Sequence, residues 1–403
     1  MHEAKRKLVV AAAIAFGGLA SSAQAQTAYD TGATDTEIKI GNIVPYSGPV
    51  SMLGTYGRAL AAYFDKINAE GGINGRKIKY ISLDDGYNPA KTVEAARRLV
   101  EQDEVLMLVS PVGTAQNAAI GAYMNSRKVP HLFVGTGAPR WGDYKKTPWS
   151  MGWNPSLLAE GRIYAQHVLQ TRPGAKVAIL FQNDDYGRDL LRGVTQAFGE
   201  KAGAMIVAQQ AYEATDPTVD SQLATAKSSG ADVFIDLSTP KFTAMAIRRI
   251  AELGWKPVHY ISYSSHSVAS VLAPAGLDNA VGVISSTYLR DPTDPRWKDT
   301  PEFAGYTAFM KTYYPGGNVD DFLNAGGYTI GQAVEQVLRQ AGDNLTRANI
   351  MKQAANLDMT LPMLYPGVRV KTAADDYYPI KQMQPIRFNG RTYEPIGGML
   401  KGQ

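Results

Sequence analysis

The sequence predicts an α/β protein of two lobes, each a mainly parallel sheet flanked by helices. Three observations carry this. The stretch Ile38–Asp85 reads as strand, Gly/Pro loop, amphipathic helix, Gly-rich turn and strand, a complete βαβ unit. A second series of alternating strand and helix signals begins near Asn154. The length, 403 residues, exceeds what one hydrophobic core usually serves.

In the opening unit Ile38, Ile40 and Ile43-Val44 form a short apolar run, broken by Pro45, Ser47, Gly48 and Pro49. From Thr55 to Asn68 the apolar positions Tyr56, Leu60, Tyr63, Phe64 and Ile67 recur at helical spacing. Gly71-Gly72 supplies a left-handed stop, and Lys77–Leu83 resumes an alternating strand. Asn88–Val100 carries Val93, Ala96, Leu99 and Val100 on one helical face, and Val105–Val109 reads as a buried strand. The loop Ser110–Thr114 follows, with Gly113 for close backbone approach and Thr114 as cap of a helix starting near Ala115. Val129–Val134 and the loop Gly135–Pro139 repeat that chemistry, so two consecutive strand-to-helix loops suit an acceptor-rich group such as a carboxylate. The aromatic stretch Trp141–Asn154 lacks periodicity and reads as a first crossing between lobes. Beyond it, helices near 157–170, 187–202, 219–227 and 242–253 alternate with strands near 177–181, 205–209 and 233–237. Val258–Ile261 leads into Ser262–Ser265, a second crossing on this reading. Val281–Thr287 reads as a strand, and Glu302–Tyr314 and Asp320–Gln340 as helices.

At the amino terminus Lys5, Arg6 and Lys7 precede the apolar run Leu8–Ala20, and Ala23-Gln24-Ala25 offers a small-x-small cleavage site. Residues 1–25 are thus expected to be a secretory signal peptide cleaved after Ala25; the alternative is a membrane anchor, for which the run is short. There is no cysteine, hence no disulfide and no lipidation thiol, and the mature chain is expected to be soluble in an exported compartment. Apolar residues make up 45% and charged residues 19%, an ordinary globular composition. The net charge of +4 falls to about +2 without the leader, and no Lys/Arg-rich run marks a nucleic-acid binder.

Few residues offer catalytic chemistry. His131, His167, His259 and His266 are not paired at metal-ligand spacing, which speaks against a metal site. Asp84-Asp85 and Asp184-Asp185 are adjacent pairs whose side chains point apart, so loop-structuring roles outweigh catalysis. Gly-x-Ser-x-Gly is absent, and the Gly71–Gly75 turn follows a helix, the wrong context for a phosphate loop. No cofactor and no enzymatic activity are expected. Trp141, Trp153, Tyr186 and Tyr263 fall where loops at the sheet edge should lie, as pocket residues or as packing.

Ser47-Gly48-Pro49, the run Ile67–Ile78 (INAEGGINGRKI) and Asp84-Asp85 resemble the start of the periplasmic Leu/Ile/Val-binding family, substrate-binding proteins of ABC importers. Pro89–Gln102, Val129–Ala138 and Ala178–Gly187 continue the resemblance, which covers most of residues 37–340. It implies a type I periplasmic binding fold with three crossings, lobe one being 36–153 plus 265–360 and lobe two 154–264 plus 361–403. It also implies hinges at Asn154, Ser262 and Leu361, a monomer, a periplasmic location, a small-molecule ligand and a membrane permease as partner.

Carried over by position, the ligand's carboxylate would rest on Gly113 and Thr114 of one loop and Thr136, Gly137 and Ala138 of the other. Tyr186 would close from the second lobe; Thr239, before Pro240, stands where relatives have an aromatic. Gly and Thr at these places also serve turns and helix caps without any ligand. Amino-acid binders of the family place a glutamate at the second crossing for the ligand's ammonium, and here that position is Ser264. A buried ammonium without its carboxylate costs roughly 3–5 kcal/mol. The expected ligand is therefore a carboxylate without the amine, such as a 2-keto acid, an aromatic acid or a short fatty acid, unless Asp236 or another carboxylate substitutes. Alternatives are branched-chain amino acid binding, an exported sensor docking on a separate receptor, and an exported hydrolase.

Overall fold

β1 (Glu37–Val44) is buried from Ile40 onward on both faces, as a central strand of a parallel sheet must be. The computed structural model describes residues 28–401; the signal-peptide reading of residues 1–25 lies outside the described residues. α1 (Thr55–Ala69) buries Leu60, Tyr63, Phe64 and Ile67 on one face and stops at Gly71 and Gly72, both at positive φ. β2 (Lys77–Asp84), α2 (Pro89–Glu101), β3 (Met107–Val109), α3 (Thr114–Ser126) and β4 (His131–Val134) follow in alternation. Ser150–Gly152 then forms β5, so part of the stretch read as the first crossing is the fifth strand of this sheet. The sheet order is β2-β1-β3-β4-β5, all parallel. Trp141, buried with Val134 and Ala138, belongs to its packing.

The second sheet is built from β6 (Val177–Gln182), β7 (Ile206–Tyr212), β8 (Val233–Leu237) and β9 (Val258–Ile261). Four longer helices accompany them: α4 (Leu157–Thr171), α5 (Asp185–Phe198), α6 (Asp220–Ser228) and α7 (Pro240–Glu252). β10 (Ile284–Thr287) pairs with β9 in parallel, which corrects the placing of this strand in the first lobe. Its periodicity says strand but not which sheet. The intervening residues Val268, Val271 and Leu272 bury against Ala244 and Ile247 of α7 and so keep the chain on the second lobe. Ser262–Ser264 therefore turns between neighbouring strands of one sheet and is not a crossing, contrary to the reading of Ser262 as a hinge.

The chain returns to the first sheet's helices with α8 (Pro301–Tyr313), α9 (Phe322–Ala341) and α10 (Arg347–Ala354), α9 lying along α1. β11 (Gln382–Phe388) then closes antiparallel on β10, and β12 (Tyr393–Pro395) on β11. Three segments run between the sheets. One is residues 153–156, which contains Asn154. The other two lie side by side: Arg290 N–H donates to Met363 O at 2.8 Å and Tyr365 N–H to Tyr288 O at 2.9 Å. Leu361 opens the last of these segments and is buried. Among the described residues no helix is long and apolar enough to cross a membrane.

Candidate functional site

Ligands of open α/β sheets bind at the carboxyl ends of the parallel strands, and here Tyr87, past β2, meets Gln182, at the end of β6, across the cleft between the sheets. In the first lobe Gly113, at φ 108°, takes the cap position before α3, and no side chain caps this helix. Thr114 is thus the first helical residue and not the expected cap. Its Oγ1 lies 2.6 Å from Thr136 Oγ1 in a buried pair, and Thr136 Oγ1 also accepts the Ala138 N–H at 3.3 Å. The uncapped first turn of α3 leaves N–H donors for an acceptor-rich group.

The loop is held from behind. Asn117 donates to Pro111 O and Gly113 O, and its Oδ1 lies 2.8 Å from His131 Nε2. Burial lowers the His131 pKa to about 3, so the ring is neutral, with its Nε2 proton on Asn117. Gly137 meets the first crossing: its carbonyl accepts the Leu157 N–H at 2.9 Å, and a Cβ there would overlap the Pro155 carbonyl oxygen. Gly137 and Ala138 therefore lie where the first lobe meets this segment. Asp84 accepts the N–H groups of Tyr46, Ser47 and Gly86, while Asp85 accepts from Tyr87 N–H and Thr92 Oγ1. Both are loop-structuring carboxylates.

In the second lobe Asp184 caps α5 and fixes Tyr186 in its first turn. The Tyr186 hydroxyl lies 2.9 Å from Ser262 Oγ and 2.8 Å from Ser264 Oγ, so two of the expected site residues, Tyr186 and Ser264, meet. Thr239 meets neither. Its N–H and Oγ1 instead engage the hydroxyl of Tyr212, at 3.0 and 3.2 Å, and Tyr212 donates to Gln182 Oε1. Asp236, fully buried, lies 3.6 Å from His259 Nε2.

The carboxylate beside Ser264 is Glu160, from the first turn of α4. It is fully buried, and its Oε1 accepts the Tyr263 N–H at 2.7 Å and the Tyr164 hydroxyl at 2.8 Å. Its Oε2 has no partner, and burial raises its pKa to about 7. Of the four aromatics singled out, Trp153 packs on Phe133 and Tyr263 accepts from Asn154, both buried near the first crossing.

The lobes touch across the cleft. Gln182 Nε2 donates to the Tyr87 hydroxyl at 3.3 Å and Arg140 pairs with Asp185 at 2.8 Å; beside Arg140, the Tyr378 hydroxyl, on the segment that bonds Leu357 and Ala354 of the first lobe through Thr372, donates to Pro139 O at 2.8 Å. Met52 of the first lobe packs against the Ile247–Leu272 cluster of the second. Sequence reasoning missed Tyr87, Gln182, Tyr212 and Glu160. The first three stand at or just past strand ends, the signal that singled out Tyr186; Glu160 sits three residues beyond an expected helix start and carries no such signal.

The family model described as periplasmic binding protein matches residues 37–391. The Leu/Ile/Val-binding protein homolog 7 of Brucella abortus is 25% identical over 230 residues, 55% of this chain and 57% of that protein. The match thus spans a little over half the length of that relative. A branched-chain amino acid ABC transporter structure from Thermus thermophilus with bound valine superposes with TM-score 0.82 at 17% identity, covering 91% of this chain and 97% of the other. A fatty acid ABC transporter substrate-binding protein from Thermomonospora curvata gives TM-score 0.75 at 20% identity, covering 93% and 95%. At such identity these structures speak for the fold, the type I periplasmic binding fold with its parallel sheets between helices. Since the family model runs from β1 through β11 and spans both sheets and all three crossings, the chain belongs to the periplasmic binding protein family.

Proposed function

We propose that this protein is the extracytoplasmic solute-binding component of an ABC importer, working in the periplasm and handing its ligand to a membrane permease. It captures and does not transform: the groups gathered at the cleft are hydroxyls, amides and loop-structuring carboxylates, without a nucleophile–base pair. The ligand we propose is small and bears a carboxylate without an α-ammonium: a 2-keto acid, an aromatic acid or a short fatty acid.

One observation carries this reading. The Thr114–Thr136 hydroxyl pair beside the uncapped start of α3 is a ready acceptor site, while the second-lobe wall offers the hydroxyls of Tyr186, Ser262 and Ser264. The family neighbours include a structure holding valine and one named for fatty acids, which spans the two ligand classes at issue. The second reading, a branched-chain amino acid, is favoured by one specific group: Glu160, a buried carboxylate next to the Ser262–Ser264 turn.

The test is a thermal-shift panel of leucine, its 2-keto acid, phenylalanine, benzoates, cinnamates and fatty acids. A ligand that binds only the native state raises stability by RT ln(1 + [L]/Kd). A shift by keto, aromatic or fatty acids and not by leucine supports the first reading; strong stabilisation by leucine alone replaces it with the second. Product formation from any of them would overturn capture without turnover.

A further inference from the structure

The buried run Ile40–Val44 of β1 carries one polar side chain, Asn42, and it is fully buried. Its Nδ2 donates to Val109 O at 2.8 Å and to Ser110 O at 3.0 Å, and its Oδ1 accepts the Ser82 hydroxyl at 2.7 Å. Ser82 Oγ in turn lies 2.6 Å from the Tyr46 hydroxyl. These partners fix the amide's orientation, since a flipped group would set Oδ1 against two carbonyl oxygens.

Successive carbonyls of a strand alternate in direction. For two neighbours to meet one amide, the residue between their peptide planes has to leave the strand region. That residue is Ser110, at φ 51°. A serine is at a steric disadvantage there. It also precedes Pro111, and a following proline favours extended backbone. The Ser110 hydroxyl gives nothing back, being buried without a hydrogen-bond partner. The left-handed turn is therefore held from outside, by Asn42.

Past the turn, Asn117 takes Pro111 O at 2.9 Å and Gly113 O at 2.6 Å, and the Val112 N–H goes to Ile43 O. Two buried asparagines thus draw every carbonyl from Val109 to Gly113 inward except that of Val112. The loop then offers the first turn of α3 and the Thr114 hydroxyl with these acceptor oxygens turned away, which is what an anionic group needs. We propose that Asn42 is a positioning residue for ligand capture: by holding the turn at Ser110 it aims the start of α3 at the ligand's carboxylate. This rests on the reading above that a carboxylate-bearing ligand sits on this loop.

A mutant cycle between positions 42 and 110 tests it, with leucine's 2-keto acid and leucine, both carboxylates, as calorimetric probes. N42A is expected to weaken whichever of them the wild type binds about tenfold to a hundredfold, the worth of two hydrogen bonds. Glycine enters the left-handed region without strain, so N42A/S110G should recover most of that loss. N42A/S110A, which keeps a Cβ, should recover none. Full affinity in N42A, or no better recovery with glycine than with alanine, overturns the proposal. Melts of the ligand-free proteins form a second arm. S110G should melt about 1–3 °C above S110A while Asn42 is present, and lose that advantage in N42A, where residue 110 is free to relax. No advantage in the wild-type background, or the same advantage in both, overturns the hold on the turn whatever binds. If N42A does not fold, N42L, near asparagine in shape and suited to a buried strand, takes its place in both arms. If neither probe binds the wild type, the carboxylate reading fails and the melts alone decide the role of Asn42.

Discussion

Thr114 and Thr136 meet at 2.6 Å in a buried pair, and one of the two must donate to the other. That leaves at most one proton for the proposed ligand carboxylate beside the free N–H groups of α3. T114V removes a hydroxyl but keeps the shape, and Thr136 Oγ1 still accepts from Ala138 N–H. The expected loss of stability is about 1 kcal/mol, one hydrogen bond. The expected loss of ligand affinity is larger, roughly tenfold or more, with T114S retaining most of both. Calorimetry with the best ligand of the panel, alongside thermal melts, checks this; unchanged affinity in T114V would place the ligand elsewhere. Thr114 and Thr136 were legible in the sequence because hydroxyls after parallel strands are conspicuous. That Thr114 is not a cap was not legible: Gly113 at φ 108° already holds the cap position, and a glycine does not announce its dihedral. Tyr212 escaped for another reason. It reaches the Thr239 N–H from the edge strand β7, across β6, and such a contact depends on strand order and not on spacing along the chain.

Elements were easier to read than their partners. α1, α4 and α7 and the strands β6, β8 and β9 fall within a few residues of their predicted bounds, since amphipathic spacing and apolar runs are local signals. β10 went to the wrong lobe because sheet membership is set by distant pairing, here β9 on one side and β11 on the other. The close approach of α4 and α5 was equally invisible, as a glycine inside a helix reads only as a weak spot. In the structure Gly161 and Gly193 face the partner helix's backbone, where no flexible side chain can give way. G193A should gain about 1 kcal/mol from helix propensity. Overlap with Leu158 O should cost more, leaving a net loss of roughly 1–3 kcal/mol. Because these helices carry Glu160 and Tyr186, ligand affinity should fall with stability. A denaturant melt showing G193A as stable as the wild type would mean the two helices can separate freely.

For the whole molecule, four buried groups pull stability in opposite directions with pH. Burial raises Glu160 from 4.5 to about 7 and Asp291 from 3.8 to about 6. The stability each contributes is fully present below its unfolded value and is lost as pH rises through the folded one. His131 and His266, lowered by burial from 6.5 to about 3 and about 4, act the other way and weaken the fold as pH falls below 6.5. Between about pH 6.5 and 4.5 the two pairs offset one another; above that, of these four, only Glu160 still changes. E160Q should therefore gain on the wild type as pH rises from 5 to 8, by up to about 3 kcal/mol, read as a growing difference in Tm. A constant difference would mean that Glu160 is charged at both pH values. Closure of the lobes rests on a weaker contact. Arg140 and Asp185 pair at 2.8 Å across the cleft with side chains 45% and 43% exposed. Such exposed pairs are worth about 0.2–1 kcal/mol and fade with salt. R140A should accordingly speed ligand release by no more than about fivefold at low ionic strength and leave it unchanged near 1 M salt. Stopped-flow release measured at both ionic strengths decides the matter. An effect that survives high salt would mean that Arg140 acts through packing beside the Tyr378–Pro139 contact and not through its charge.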